Sequence, residues 1–391
     1  MILTPRIRNN ICVNAHPPGC TAQVRAQIDF VRARGKIAGP RNVLVVGASN
    51  GYGLAARIVS AFACGAATIG IGYEKSGSAQ RTGTAGWYNS RAFREEAARQ
   101  GLGAWDINGD AFAAATKADV ARLIEQKLGR IDFLVYSIAA PRRMDPATGQ
   151  MYSSVIKPVG RPFTAKTLDF LTGTITTLTA EPASTEEIRQ TVKVMGGEDW
   201  LLWLEKLRAA DLLNRGFLTV AFSYIGSQHT RALYRDGTIG AAKKDLEQKV
   251  AVINRLLAPL GGKALISVNK ALVTRASAVI PAVPLYIALL YRVMKDGGLH
   301  EGCIAQMDRL YREHLFSGRP LRVDEKGRIR IDDVEMRPDI QRKVAELWEK
   351  VDAGSIDELA DVEGLRQEFL RHHGFGMPGI DYSREVDPAD F

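Results

Sequence analysis

A glycine-rich turn between a short β-rich run and an apolar helical stretch most strongly constrains the fold of this chain. The run Asn42–Val46 (NVLVV) enters the turn Gly47-Ala48-Ser49-Asn50-Gly51-Tyr52-Gly53, and Leu54–Phe62 then has the alanine-rich character of a helix packed on a sheet. Further β-rich runs alternate with helical patterns at Ala67–Tyr73, Ala104–Ile107, Ile131–Tyr136, Phe217–Phe222 and Ala264–Val268. This alternation predicts an α/β fold with a doubly wound parallel sheet, in which ligands bind at the carboxyl ends of the strands.

Two stretches exceed the simple alternation. Residues 138–215 are predicted to form an insertion, with a hairpin-like piece rich in Thr, Gly and Pro and a helix around Trp200–Ala209. Residues 295–391 are predicted to form a helical C-terminal extension that includes Leu299–Leu315 and Asp339–Val351. Because the chain shows no internal repeat and no long linker, we expect residues 1–391 to form one elaborated domain.

The composition is that of an ordinary globular protein, with 46% hydrophobic and 24% charged residues. The longest uncharged run, Ala276–Tyr291, is interrupted by Pro281 and Pro284. A bilayer span needs about 20 apolar residues, so we expect this run to be buried or to line a pocket, and the protein to be cytoplasmic and free of membrane spans. Four cysteines in so long a chain do not suggest a disulfide scaffold and favour a reducing compartment.

Metal and nucleic acid are not expected as ligands. The spacing Cys12-x3-His16-x3-Cys20 resembles a metal cluster, but it lacks a nearby fourth ligand and contains a Pro-Pro-Gly turn. The net charge of +9 admits acidic partners, yet no basic run is interleaved with aromatic residues. Phosphate-bearing substrates, an acidic carrier protein and a solvated basic surface all remain compatible with the charge.

The glycine turn has the context that dinucleotide binding requires, because it follows a strand and opens a helix. Gly47 allows the tight turn, Gly51 lets backbone amides approach a pyrophosphate, and Gly53 permits close packing of helix on sheet. The helix N-terminus favours the phosphate charge. We therefore expect a cofactor to be bound by the turn residues Gly47, Ala48, Ser49, Asn50, Gly51 and Tyr52.

Residues that follow the next strands are expected to contact the rest of the cofactor. Tyr73 and Glu74 end the second strand, and a carboxylate there can accept hydrogen bonds from ribose hydroxyls and repel a 2′-phosphate. Glu74 therefore favours NADH, while the adjacent Lys75 leaves NADPH open. The residues expected at the adenine edge are Asp110 and Ala111, and those expected under the nicotinamide ribose are Ile138 and Ala139.

Tyr234 and Lys243 are the candidate catalytic residues. Nine positions on a continuous helix rotate by about 900° and would place the two side chains on opposite faces. Gly237 and Gly240 lie between them and resist such a helix. Tyr234 is therefore expected to precede a bend and Lys243 to lie in the first turns of the next helix, both facing one cleft. A phenol and an amine beside a nicotinamide can polarise a carbonyl oxygen and stabilise an oxyanion, which suggests a reductase.

The Tyr-x8-Lys arrangement, together with the glycine turn, resembles the NADH-dependent enoyl-thioester reductases of the elongated short-chain dehydrogenase type, which have a Rossmann fold. That family contains trans-2-enoyl-CoA reductases and the enoyl-acyl-carrier-protein reductases of bacterial fatty acid synthesis. The similarity runs nearly end to end, through RNNICVNAHPPGC (Arg8–Cys20), GTAGWYN (Gly83–Asn89), NGDAF (Asn108–Phe112), VMGGEDW (Val194–Trp200), FSYIG (Phe222–Gly226) and LVTRASAVIP (Leu272–Pro281). The segments ALYRDGTIG and HEGCI resemble the CoA-type members more closely.

The resemblance implies a role for each matching position. Tyr234 would donate the proton or stabilise an enolate, Lys243 would hold the nicotinamide ribose, and Tyr224 would contact the thioester. Leu272, Val273 and Thr274 would close over the nicotinamide end of the cofactor. The implied reaction is NADH-dependent reduction of the C2=C3 double bond of a trans-2-enoyl-CoA such as crotonyl-CoA, in fatty acid synthesis. An enoyl-acyl-carrier-protein is the alternative substrate, and the expected state is a monomer.

Two other functions are compatible with parts of the pattern. A carbonyl reductase or alcohol dehydrogenase shares the cofactor fold, but its usual Tyr-x3-Lys pair lies on one helical face, and the eight-residue gap here argues against it. A dinucleotide sensor or a nucleic-acid-binding protein without enzymatic activity is suggested only by the positive charge.

Overall fold

Strands and helices alternate along most of the chain. The computed structural model describes residues 1–8, 11–274, 277, 280 and 282–391. The strands are β1 Ile7–Arg8, β2 Ile11–Cys12, β3 Asn42–Val46, β4 Ala67–Gly72, β5 Ala104–Asn108, β6 Ile131–Tyr136, β7 Arg142–Met144, β8 Met151–Ser153, β9 Phe163–Asp169, β10 Thr174–Ala180, β11 Leu213–Ser223, β12 Lys263–Val268 and β13 Arg328–Arg330.

The α-helices lie between and after these strands. They are α1 Pro17–Ala33, α2 Gly51–Ile58, α3 Ala85–Arg99, α4 Ala114–Lys127, α5 Thr185–Met195, α6 Glu198–Ala209, α7 Thr238–Leu257, α8 Val283–Asp296, α9 Cys303–Arg309, α10 Pro338–Lys350, α11 Ile356–Leu359 and α12 Val362–Arg371. Helices α2 and α9 continue into π-helical turns at Val59–Ala63 and Leu310–Leu315, and a 3₁₀ turn at Ala258–Leu260 follows α7.

Seven strands form a parallel sheet, in the order β13-β12-β11-β6-β3-β4-β5. The chain enters at β3 in the middle, winds outward to β5, and returns to β6 to wind outward in the other direction. The order of winding reverses between β3 and β6, which is where ligands bind in sheets of this type. The predicted doubly wound α/β fold is therefore confirmed.

Both faces of this sheet are covered. The strand β3 and most of β6 are buried, and their side chains are apolar on both faces, as is usual for parallel strands between two helical layers. Helices α1, α2, α3, α8 and α9 contribute to the core on one face. Helices α4, α6 and α7 contribute to the core on the other face.

The inserted region adds two small antiparallel pairs and two helices. Strands β7 and β8 form one hairpin, and β9 and β10 form another, in agreement with the predicted hairpin-like piece. Ser184 and Glu187 form a reciprocal capping box that begins α5. Helix α6 buries Trp200 and Trp203 against the sheet. The next strand of the main sheet, β11, begins at Leu213 and so starts inside residues 138–215, which were predicted to form the insertion.

The C-terminal region departs from its sequence-based description in two places. Leu299–Leu315 was predicted to be part of the helical extension; the helical part begins only at Cys303, because the chain is extended at Gly302 after the turn at Gly298. The region also contains β13, which adds a seventh strand to the sheet beside β12. Residues 295–391 are therefore not wholly helical.

Helices α10 and α12 pack against α8, whose residues between 283 and 294 are nearly all buried. The run Ala276–Tyr291 falls partly outside the described residues, and its described part is the start of this buried helix. None of the described helices is both long and apolar enough to cross a membrane.

Candidate active site

The glycine turn joins β3 to α2 at the carboxyl edge of the sheet. Gly47 has a φ of +87°, and a Cβ atom there would lie 2.2 Å from the carbonyl oxygen of Ser137. A Cβ atom at Gly53 would lie 1.8 Å from the carbonyl oxygen of Gly47, so neither position tolerates a side chain. The side chain of Asn50 does not cap α2, and the first turn of the helix therefore keeps backbone N–H groups that can face an anion.

Glu74 lies directly beside this turn. Its Oε1 atom accepts hydrogen bonds from Ser49 Oγ at 2.6 Å and from Asn50 Nδ2 at 3.4 Å. Asn89, in α3, donates to the carbonyl oxygen of Ser49 at 3.1 Å and to Asn50 Oδ1 at 2.9 Å. Tyr73, by contrast, is 78% exposed. The structure thus brings Glu74 to the turn residues and leaves the Tyr73 side chain in solvent.

A cavity of about 290 Å³ opens next to the turn. Its lining includes Asn50 and Gly51 from the turn, Lys75 and Thr84 from the following elements, and His372 from the end of α12. Lys75 and Arg81, which also lines it, make this cavity electropositive. Its position at the helix N-terminus and its charge fit a dinucleotide phosphate or ribose.

The other predicted cofactor residues follow neighbouring strands. Asp110 Oδ1 accepts the backbone N–H of Phe112 at 3.0 Å and so shapes the turn after β5. Ala111 is buried, Ile138 is half-buried and Ala139 is exposed. The Cδ1 atom of Ile138 lies 3.4 Å from the position of a Cβ atom on Gly47. These residues therefore lie at the same edge of the sheet as the glycine turn.

A buried ion pair supports the turn at Ala111. Lys117 Nζ donates to the carbonyl oxygens of Ala111 and Phe112 at 2.8 and 3.0 Å and pairs with Asp199 of α6 at 2.7 Å. Tyr136, at the end of β6, donates to the other oxygen of Asp199 at 3.0 Å. Because every one of these groups is buried and partnered, the loop edge expected near adenine is held rigidly.

The predicted bend between Tyr234 and Lys243 is present. Residues 228–236 form a series of turns, and α7 begins at Thr238, so Lys243 lies in its second turn. A Cβ atom at Gly240 would lie 2.2 Å from the carbonyl oxygen of Tyr234, so the helix start packs directly on the tyrosine backbone. The glycine therefore permits the close approach that brings both residues to one edge.

Tyr224 links the two candidate residues to the end of β11. Its ring meets the ring of Tyr234 edge-on, with centroids 4.6 Å apart. Lys243 Nζ donates to the carbonyl oxygen of Phe222 at 3.0 Å, two residues before Tyr224. The phenol, the amine and the second tyrosine thus gather at the carboxyl end of one strand.

The protonation states of these groups suit acid catalysis. Burial, reinforced by the charge of Glu335, raises the pKa of Tyr234 well above its usual value. Burial lowers the pKa of Lys243 to about 8, and the nearby Glu247 carboxylate opposes that change. At neutral pH the phenol is therefore protonated and the amine is largely charged.

The segment Leu272–Thr274 lies across from the glycine turn. The Cγ2 atom of Thr274 is 3.8 Å from the position of a Cβ atom on Gly51. The carbonyl oxygen of Val273 accepts a hydrogen bond from His372 Nε2 at 2.7 Å, and the N–H of Val273 donates to Tyr291 Oη at 3.3 Å. Ser277 Oγ donates to the carbonyl oxygen of Leu272 at 2.7 Å. The segment is thus anchored from the C-terminal region and from α8.

Two residues of the possible metal cluster, Cys12 and His16, have other partners. His16 Nδ1 accepts the N–H of Gly19 at 3.2 Å and caps α1, and the Cys12 thiol donates to the carbonyl oxygen of Asn14 at 3.2 Å. Among the residues that the structure describes, no group of His, Cys, Asp and Glu side chains is arranged to hold a metal ion.

Several residues of this edge were not found from the sequence. Asn89 belongs to the matching segment GTAGWYN, which singled it out without giving it a role. Tyr291 ends the uncharged run Ala276–Tyr291 but was given no role of its own, and His372 and Glu335 belong to no pattern, because their contacts come from distant parts of the chain. Only tertiary packing brings them to the site.

The seven-stranded parallel sheet, with a glycine turn at the point where its winding reverses, defines a Rossmann-type protein. Residues 2–79 match a family model described as the NAD(P)H binding domain of trans-2-enoyl-CoA reductase. Residues 81–316 match the trans-2-enoyl-CoA reductase catalytic region. Residues 323–386 match a model described as an enoyl reductase FAD binding domain.

Curated relatives match 99% of the chain. An enoyl-[acyl-carrier-protein] reductase [NADH] of Opitutus terrae is 52% identical over 99% of both chains. A trans-2-enoyl-CoA reductase [NADH] of Ruminiclostridium cellulolyticum is 49% identical over 99% of this chain and 98% of its own. The chain therefore belongs to the trans-2-enoyl-CoA reductase family, and the resemblance inferred from the sequence is confirmed.

Solved structures agree with this assignment. A trans-2-enoyl-CoA reductase of Treponema denticola in complex with NAD superposes with a TM-score of 0.95 at 50% identity, covering 99% of this chain and 98% of its own. A Clostridium trans-2-enoyl-CoA reductase in complex with NADH superposes with a TM-score of 0.97 at 45% identity and the same coverage.

The segment that matches the flavin-related model does not fit a flavin dinucleotide. In residues 323–386 no glycine-rich turn connects a strand to a helix N-terminus, the arrangement that would bind a diphosphate. The apolar side chains of the segment pack into the core of the protein. The buried ones include Ile329, Ile340, Val344, Trp348 and Phe369.

Proposed function

We propose that this protein reduces the C2=C3 double bond of trans-2-enoyl thioesters with NADH. The observation that carries the proposal is the convergence of Tyr234, Tyr224 and Lys243 at the end of β11, at the same sheet edge as the glycine turn. The names of the full-length relatives, which specify NADH and enoyl thioesters, support it. The test is saturable oxidation of NADH by the purified protein, driven by crotonyl-CoA and not by a ketone.

The proposed chemistry begins with hydride transfer from NADH to C3 of the substrate. The electrons of the double bond move to the thioester carbonyl oxygen, which becomes an enolate oxygen. The buried, protonated Tyr234 hydroxyl donates to that oxygen, an interaction that strengthens as negative charge develops. Protonation at C2 then gives the saturated acyl thioester.

Lys243 has two parts in this proposal. Its ammonium holds the nicotinamide ribose and adds positive charge beside the developing enolate, which makes the Tyr234 phenol a better donor. The hydrogen bond to the Phe222 carbonyl fixes the amine at the end of β11. Tyr224 contacts the thioester, and Leu272, Val273 and Thr274 close over the nicotinamide end.

The carrier of the acyl group is proposed to be CoA, because two segments of the sequence resemble the CoA-type members. Acyl carrier protein is the second candidate, and the name of the Opitutus relative favours it. Steady-state kinetics with crotonyl-CoA and crotonyl-acyl-carrier-protein, at matched concentrations, distinguish them through kcat/KM. We also propose that the active protein is a monomer, which light scattering coupled to gel filtration tests.

The start of α8 is proposed to line the acyl pocket together with Tyr224. We expect bulky substitutions at Ala276 to shorten the acyl chain that the enzyme accepts; this position lies outside the described residues. Within the described part, Tyr286 of α8 and Tyr224 both donate hydrogen bonds to the same oxygen atom of Glu335. This contact supports placing the acyl chain on that side.

Removal of the Glu74 charge is expected to weaken discrimination against NADPH. Two unit charges about 4 Å apart repel each other by about 1 kcal/mol in water and more near a protein surface. Glu74→Ala should therefore raise the ratio of kcat/KM for NADPH to kcat/KM for NADH by about fivefold or more.

Glu74→Gln is the matched variant, because it retains hydrogen-bonding atoms beside Ser49 and loses only the charge. It should shift the ratio in the same direction. Lys75→Ala should not increase the use of NADPH. A wild-type protein that uses both cofactors equally well would contradict the role given to Glu74.

Activity is expected to be independent of flavin. Residues 323–386 lack a diphosphate-binding turn and bury their apolar side chains, so the purified protein should show no visible flavin absorption. Added FAD should leave the rate of NADH oxidation unchanged. Stoichiometric flavin in the purified protein, or activation by FAD after denaturation and refolding, would contradict this prediction.

A further inference from the structure

The carboxylate of Glu335 lies within the candidate site although it belongs to the C-terminal segment. Glu335 comes between β13 and α10, and its side chain is fully buried. The position lies outside residues 81–316, which match the catalytic-region model, and inside residues 323–386, which match the flavin-related model. The contacts of this side chain show what the segment contributes to the site.

Its two oxygen atoms serve two sides of the site. Oε1 accepts hydrogen bonds from Tyr286 Oη at 2.8 Å and from Tyr224 Oη at 3.3 Å. Oε2 accepts the backbone N–H of Ala271 at 2.7 Å, immediately before Leu272–Thr274. The Glu335 carboxylate thus connects Tyr224, whose ring packs on Tyr234, to the segment Leu272–Thr274 opposite the glycine turn.

The carboxylate itself is held from outside the site. Gln341 Nε2 donates to the carbonyl oxygen of Glu335 at 2.7 Å and to Tyr286 Oη at 3.0 Å. Tyr286 is fully buried in α8. Because α8 and α10 fix these partners, the position of the carboxylate is set before any substrate binds.

The segment that follows β12 is anchored at the same place. Tyr52 Oη, in α2, donates to the carbonyl oxygen of Lys270 at 2.7 Å, and the N–H of Lys270 donates to Gln306 Oε1 at 3.0 Å. Together with the Ala271 N–H on Glu335, these bonds fix the backbone that enters Leu272–Thr274 from three elements. Glu335 is the member of this set that also contacts Tyr224.

Electrostatics point in the same direction. Burial raises the pKa of the Glu335 carboxyl, while the buried Lys270 ammonium and the hydrogen bonds from Ala271 and Tyr286 lower it. Burial, and then the charge of Glu335, raise the pKa of Tyr224 and of Tyr234. An ionised Glu335 therefore favours the protonated phenols, the form in which they donate hydrogen bonds.

We infer that Glu335 is a positioning residue of the reductase site. It holds the Tyr224 ring against Tyr234 and anchors the backbone that enters Leu272–Thr274, so that the C-terminal segment completes the site and does not serve a flavin. This inference rests on the proposed function. It assigns Glu335 no direct contact with the reacting atoms.

The test is a double-mutant cycle in the full-length protein. Glu335→Gln has the same shape, but its single oxygen can accept from Ala271 or from the tyrosines and not from both. We expect kcat/KM for crotonyl-CoA to fall by about 10- to 100-fold, as for a small misplacement of a site residue. In a Tyr224→Phe background, with NADH saturating in both measurements, the same substitution should lower kcat/KM for crotonyl-CoA by less than about threefold, because the two residues are coupled.

The cofactor side is read independently through NADH affinity. A fluorescence titration of Glu335→Gln with NADH, without substrate, should give a weaker affinity than that of the wild type, since the anchor of Leu272–Thr274 is impaired. This second effect should persist in the Tyr224→Phe background, because it acts through Ala271 and not through the phenol.

Asp332→Asn is the matched control. Asp332 is a buried carboxylate of the same segment, but its two oxygen atoms accept from Arg330, each at 2.7 Å, and it does not share the hydrogen bonds that Tyr224, Tyr286 and Ala271 donate to Glu335. It should lower the melting temperature while leaving kcat and KM of the folded protein unchanged. The inference would be overturned if Glu335→Gln lowered kcat/KM by the same factor in the wild-type and Tyr224→Phe backgrounds. It would also be overturned if Glu335→Gln lowered only the melting temperature.

Failure of the proposed function would look different. It would appear as the absence of crotonyl-CoA-driven NADH oxidation in the wild-type protein, before any variant is compared. The NADH titrations of Glu335→Gln and Asp332→Asn would still report whether Glu335 anchors the cofactor side, and equal affinities in those two variants and the wild type would overturn the inference on its own.

Discussion

Tyr234→Phe is expected to lower kcat by about 10²- to 10³-fold, the usual cost of removing one donor to a developing oxyanion. In the proposed mechanism the hydroxyl interacts more strongly with the enolate-like transition state than with the substrate, so KM should change much less than kcat. The substitution keeps the ring that packs on Tyr224, and no cavity is created. Steady-state kinetics with crotonyl-CoA and NADH measure the effect.

Tyr311→Phe provides the control for loss of a buried tyrosine hydroxyl. Tyr311 is fully buried and its hydroxyl bonds Ser60 Oγ at 2.8 Å, in the core and away from the site. It should affect thermal stability but not kcat. Near-wild-type turnover in a folded Tyr234→Phe protein would contradict the assignment and move attention to Tyr224.

Lys243→Met is expected to weaken NADH binding as well as turnover, because in the proposed mechanism the ammonium contacts the cofactor and supplies positive charge to the enolate. Removal of a buried ammonium that contacts a charged or polarised group typically costs about 2–5 kcal/mol, so a loss of about 10²-fold in kcat/KM is expected. The methionine retains most of the aliphatic volume. Fluorescence titration with NADH and steady-state kinetics separate the two effects, and Lys244→Met, an exposed neighbour on α7, should change neither.

The Lys243 effect should also depend on pH. Burial lowers the pKa of this amine to about 8, so the ammonium is fully present below that pH and is lost as the pH rises through 8. NADH affinity of the wild type should therefore fall above about pH 8, while that of Lys243→Met should be flat over the same range. A wild-type affinity that is constant from pH 7 to pH 9, or a variant that keeps the full pH dependence, would contradict this role. This pH range brackets the lowered pKa of Lys243, whereas a lysine with the usual pKa of about 10.4 would stay charged throughout it.

The central strands could be predicted from the sequence because burial on both faces produces continuous apolar runs. Asn42–Val46 and Ile131–Tyr136 were identified with the bounds that the structure has. The bend between Tyr234 and Lys243 could also be predicted, since Gly237 and Gly240 resist a helix and the helical repeat would otherwise separate the side chains. These inferences depend on local chain geometry alone.

Strand β13 could not be predicted in this way. Its sequence is Arg-Ile-Arg, and Arg328 and Arg330 look like solvated residues until their partners are known. In the structure Arg328 pairs with Asp324 and Glu247, at 2.7 and 3.1 Å, and Arg330 pairs with Asp332. Pairing with β12, and not local propensity, decides that these residues form a strand.

The site was predicted in part. The glycine turn, Glu74 and the Tyr234 and Lys243 pair follow from spacing and from strand ends, whereas the role of Tyr224 was implied only by the family resemblance. Glu335 carries no local signal, since a single Glu after two aspartates reads as surface. Its burial depends on contacts with residues 64 and 111 positions away.

These long sequence separations affect the order in which the contacts of the site form while the chain is being synthesised. The glycine turn, Tyr234 and Lys243 leave the ribosome well before Glu335 and before His372, which bonds the Val273 carbonyl from 99 residues away. Contacts that close such long loops form late, because much chain entropy is lost before they are made. An unfinished or truncated chain therefore carries the candidate catalytic side chains without the contacts that hold Tyr224, Ala271 and Val273 in place.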